Sequence, residues 1–78
     1  MTSAQCRAAR GLLDWTQAKL AEAGGLLLSA VVRFARGGRT VAAGAVQAMK
    51  RALENAGVEF IAENGGGVGV RLKKGKLN

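Results

Sequence analysis

Residues 24–40 read GGLLLSAVVRFARGGRT, an apolar run that ends in three arginines. Its periodicity decides the fold. A strand would alternate apolar and polar residues, and this run does not. On a helical wheel Leu27, Ala30, Val31 and Phe34 form one face, and Leu28, Ser29, Val32, Arg33 and Arg36 form the other. The spacing predicts a helix of about two and a half turns. Gly24–Gly25 stops the helix before it and Gly37–Gly38 ends it, because glycine supplies the left-handed conformation that a helix stop often needs.

The same logic extends in both directions. Thr2 and Gln5 match a capping box, which predicts a first helix running to about Leu13 with Cys6, Ala9 or Arg10, and Leu13 on one face. Asp14–Trp15 breaks that pattern. Thr16 is a second N-cap, and QAKLAEA continues as a short helix with Leu20 and Ala21 facing inward. After Arg36 the stretch RGGRTVAAG reads as a loop. A fourth helix is expected from about Ala45 to Ala56, with Val46, Met49 and Leu53 at core spacing and Gly57 closing it. The period then changes. VEFIAE, NGGG and VGVRL read as two β-rich runs around a turn, hence a hairpin. The expected architecture is mainly α: about four helices over 1–57, a C-terminal β-hairpin over 58–72, and a basic tail over 73–78.

Composition narrows the chemistry. A chain of 78 residues is one domain and buries only about 60% of its unfolded surface. The single Cys6 excludes an internal disulfide, and without histidine an ordinary zinc site is not credible. A homodimer is the remaining way to bury more surface. Cys6 reads as a small buried hydrophobe and Trp15 as a core residue. Gly65–Gly67 reads as a turn rather than a phosphate cradle, since no helix follows it. The net charge of +7 favours a polyanionic partner, either nucleic acid or an anionic surface. No apolar stretch is long enough to span a membrane. The start MTSAQCRAARG lacks an apolar signal core, so a cytoplasmic location is expected. Histidine and tyrosine are absent and no nucleophile–base set is visible, so no enzyme activity and no cofactor are expected.

WTQAKLAEAGGLLLSAVVRFARGGRT, residues 15–40, resembles the core of the Cro/repressor-type (XRE-like) helix-turn-helix DNA-binding regulators. Ala21 must be small where a second helix crosses. Gly25 sits in the turn, and Leu20, Leu26, Val31 and Phe34 fix the crossing. The likeness covers residues 5 to about 57, and with the hairpin it is similar to a compact subgroup of such regulators. It implies a lambda-repressor-like helix-turn-helix bundle and a transcriptional regulator, most simply a repressor, acting as a homodimer on an inverted-repeat operator in double-stranded DNA. The second helix of the pair would enter the major groove, with Leu27, Leu28, Ser29, Val32 and Arg33 as base readers. Leu28 and Val32 would lie against thymine methyl groups, Ser29 would meet a base edge or phosphate, and Arg33 would take guanine. Gln17, Lys19, Arg36, Arg39 and Thr40 are the phosphate candidates. Leu27 stands where this family usually places a capping Ser or Thr, and Ala35 where a glutamate commonly partners the arginine at position 10. A different class of function stays open: a protein-interaction module or antitoxin-like partner on the same fold, using Leu27, Leu28 and Val32 as an apolar contact.

Overall fold

A computed structural model of the chain describes residues 1–37 and 40–74. The order of elements is α1 (Ser3–Leu13), α2 (Gln17–Gly24), α3 (Leu28–Ala35), α4 (Ala43–Asn55), β1 (Val58–Ile61) and β2 (Gly69–Leu72). The protein is mainly helical and closes with an antiparallel hairpin, as the periodicity predicts.

Local sequence sets the ends of the first two helices. The Thr2 hydroxyl accepts from the Gln5 amide while the Gln5 side chain accepts from the Thr2 amide, a complete capping box. Asp14 ends α1 in the left-handed conformation at φ 57°, a state that its short polar side chain tolerates. Thr16 caps α2 by accepting from the Lys19 amide at 3.0 Å. Gly25 closes α2 at φ 65°, where an L side chain would be strained.

α3 stops where the glycine signal puts it: Arg36 caps it and Gly37 follows at φ 117°. Gly38 lies outside the described residues. α4 begins at Ala43, two residues before the expected start, because Gly44 is accommodated within its first turn.

The core joins all four helices to β1. Cys6, Leu20, Val31, Met49, Leu53 and Val58 are the largest side chains with essentially no exposure. Trp15 is half-buried and packs against this core. Burial pushes the Cys6 thiol above its ordinary value, against the opposing pull of Arg10 and then Arg7, so it behaves as a small hydrophobe.

One face assignment fails. Leu27 does not share the inward face with Ala30, Val31 and Phe34; it is 76% exposed. Its backbone is extended at φ −70° and ψ 140°, one residue before α3. The helical period does not govern it there, and Leu26 takes the inward position instead.

The hairpin pairs Val58 with Leu72, Glu59 with Arg71, Phe60 with Val70 and Ile61 with Gly69. Its ladder runs one step further, from the Lys73 amide to the Gly57 carbonyl at 2.8 Å. The basic tail is therefore tied down at its first residue. The connection spans residues 62–68 and is wider than a tight Asn-Gly turn. Val68, expected in the second strand, lies in this connection and is 49% exposed. The Glu63 carboxylate organises the loop by accepting the Gly65 and Gly67 amides at 2.9 and 2.8 Å.

Candidate nucleic-acid interface

α2 and α3 are joined by the three residues 25–27, and they pack on each other and on α4. Gly25 bends the chain, and the Leu26 amide closes the bend by donating to the Ala21 carbonyl at 2.9 Å. Val31 and Phe34 bury one side of α3. The other side faces solvent at Leu28, Ser29 and Arg33.

Leu28, Ser29 and Arg33 are exposed on that outward side, Arg36 is exposed just past its end, and Val32 is half-buried beside them. Leu28 is 48% exposed, so it and Leu27 form an apolar pair on the surface. The stripe Leu28–Val32 carries only carbon at its tips. The neighbouring stripe Ser29–Arg33 carries a hydroxyl and a guanidinium. The start of α3 has no side-chain cap, so its first amides point outward at the positive end of the helix dipole.

The phosphate candidates are placed unequally. Gln17 is half-buried at the first position of α2, next to the Thr16 cap. Lys19 is exposed, but its ammonium is 3.3 Å from the Glu22 carboxylate and 5.7 Å from the centre of the Trp15 ring. Such an exposed pair is worth about 0–1 kcal/mol and exchanges easily for another anion. Thr40 is exposed before α4. Arg39 lies outside the described residues, as does Lys76 of the tail.

Two residues that position this surface were missed by pattern reading. The Ser3 hydroxyl donates to the Phe34 carbonyl at 2.7 Å, and Arg7 Nη1 donates to the Ala35 carbonyl at 2.7 Å. Ser3 and Arg7 are one turn apart on α1 and together satisfy the last carbonyls of α3, where a cation is favoured. The i, i+4 spacing on α1 was legible; which helix end it meets was not. Arg10 Nη1 donates to the Trp15 carbonyl at 3.5 Å, and its Nε has no partner among the described residues.

Charge is distributed unevenly. No Asp or Glu occurs between Ala23 and Leu53, the stretch that holds Arg33, Arg36, Arg39, Lys50 and Arg51. The acids lie elsewhere, with Glu22 beside Lys19 and Glu59 beside Arg71. The outward side of α3 thus meets solvent with positive charge and apolar groups and no acid of its own. Among the described residues no cluster of His, Cys, Asp or Glu is placed to hold a metal ion, and no helix is long and apolar enough to cross a membrane.

No family model matches the chain, and no curated protein matches it.

Proposed function

We propose that the chain is a sequence-specific DNA-binding domain of the lambda-repressor-like, XRE-related helix-turn-helix class, acting as a transcriptional repressor. The observation that carries this reading is the outward side of α3. A short helix follows the glycine turn, is fastened at its far end by Ser3 and Arg7, and offers Leu28, Ser29, Val32 and Arg33 to a partner. These groups match base edges and thymine methyl groups in a major groove. Arg36, Thr40, Gln17 and Lys19 flank them as phosphate contacts, and the net charge of +7 supplies sequence-independent attraction.

Operator occupancy by two copies on an inverted repeat belongs to the same proposal. The two-stranded sheet leaves one outer edge on each of β1 and β2, and strand edges favour pairing with a second chain. The test is selection from random duplexes by the full chain, followed by titration of the enriched and random sequences at several salt concentrations. Enrichment of one motif with a preference that survives added salt supports the reading. Equal binding of all sequences, with affinity falling steeply with salt, leaves only a nonspecific coater.

The exposed Leu27–Leu28 pair favours a second reading, a protein-interaction module on the same fold. That reading requires an apolar partner surface and no dependence on duplex DNA.

A further inference from the structure

We infer that α3 reads the 5-methyl groups of pyrimidines, so that thymine and 5-methylcytosine are equivalent to it at two positions of a half-site. The inference rests on the proposed DNA-binding function and names what that surface recognises.

α3 lacks the side chains that read adenine or cytosine by hydrogen bonding. Bidentate reading of adenine uses Asn or Gln, and a carboxylate accepts from the cytosine amino group. None of these residues occurs between Ala23 and Val46. Ser29 and Arg33 are the hydrogen-bonding side chains within α3, and Arg33 suits guanine. The remaining outward groups are Leu28, 48% exposed, and the half-buried Val32, with Leu27 at the helix start. The core does not require the two leucines, because Leu26, Val31 and Phe34 fill the inward positions. In the major groove the apolar feature that distinguishes one base from the others is the thymine methyl group.

Spacing and charge fit a duplex as the occupant. Leu28 and Val32 are four residues apart, about 6 Å along the helix axis. Two base-pair steps span about 6.8 Å. One helix can therefore address two methyl-bearing pyrimidines within about two steps, with Arg33 on the parallel stripe meeting a guanine beside them. The absence of acids from Ala23 to Leu53, with arginines at 33 and 36, complements a phosphate backbone.

The equivalence follows from chemistry. Thymine and cytosine differ at the 5-methyl group and at position 4, an oxygen acceptor in one and an amino donor in the other. A side chain ending in carbon cannot hydrogen-bond to either group at position 4. It responds to the methyl group, which 5-methylcytosine also carries and uracil lacks.

The test uses the full chain and a duplex selected by it, at fixed salt. Each thymine of the selected site is replaced singly by uracil, by cytosine, or by 5-methylcytosine, the last two paired with guanine. At two positions within a half-site, uracil should weaken binding about three- to fivefold, the worth of one methyl-sized apolar group. Cytosine should weaken it at least as much, and 5-methylcytosine should return it to within about twofold of thymine. Leu28→Ser, at an exposed site, should remain folded by circular dichroism and erase the thymine–uracil difference at one of the two positions. A selected site at which no uracil replacement matters overturns methyl reading and leaves DNA binding standing. Failure to enrich any sequence overturns both, and binding of a protein but no duplex assigns the leucine pair to protein docking.

Discussion

The side-chain amide of Gln5 donates to the Gly69 carbonyl at 3.0 Å, across 64 residues of chain. The same nitrogen reaches the Ile61 carbonyl at 3.4 Å, while the side-chain oxygen accepts from the Thr2 amide at 2.9 Å. One buried side chain therefore starts α1 and fastens both strands of the hairpin to it. Replacing Gln5 by Glu keeps the acceptor for Thr2 but removes the donor. Two carbonyls then face a carboxylate at a site only 7% exposed. The expected loss is about 2–3 kcal/mol of stability near pH 7, read from urea unfolding. Gln5→Glu as stable as the parent would mean that the hairpin is held without this contact.

Leu27 occupies the cap position of α3 with no side-chain hydrogen bond to the first turn, and it is 76% exposed. Leu27→Ser supplies the missing side-chain acceptor at little cost in buried area. Thermal unfolding should show a gain of up to about 1 kcal/mol. A loss of similar size or more, at matched protein concentration, would show Leu27 covered by a second copy.

The hairpin should weaken in acid. Hydrogen bonds from the Gly67 and then the Gly65 amides hold the Glu63 carboxyl below the usual carboxylate range. The Arg71 guanidinium, first by hydrogen bonding and then by its charge, does the same for Glu59. A carboxylate depressed in the folded state contributes stability above its unfolded pKa, about 4.3. That contribution is lost as pH falls through the lower native values. The urea midpoint should therefore drop between about pH 5 and pH 2, and the double variant Glu59→Gln, Glu63→Gln should show a shallower drop. An unchanged slope in the double variant would place the acid sensitivity elsewhere. Salt should erode the exposed Glu59–Arg71 part more than the short-range Glu63 part.

Arg33 and Gln17 should differ in how they fail. Arg33→Ala is expected to cost about 1–3 kcal/mol on a selected duplex and to relax preference at one base pair. Gln17→Ala should weaken all sequences about equally. Repeating the selection with each variant checks this. An unchanged consensus and affinity in Arg33→Ala would move base reading off α3.

Much of the fold was written in local chemistry. Thr2 with Gln5, and Thr16 with Lys19, set helix starts by bonds that span three residues. Gly25 and Gly37 set helix ends by positive φ. The 3.6-residue period gave the buried side of α3 through Val31 and Phe34, and the change of period at Val58 marked the hairpin. The same period misplaced Leu27, because it holds only inside a helix and that residue sits one step outside.

The sequence by itself determined the kinds of element, their order, and the residue types offered on the outward side of α3. Tertiary structure alone decided what holds that side in place. Ser3 and Arg7 are distant in sequence from Phe34 and Ala35, and Gln5 is more distant still from Gly69. No local pattern encodes such pairings. They arise when burial of Cys6, Leu20, Val31, Met49, Leu53 and Val58 brings α1, α3 and the hairpin together, so that side chains of α1 come within reach of backbone carbonyls on the other elements.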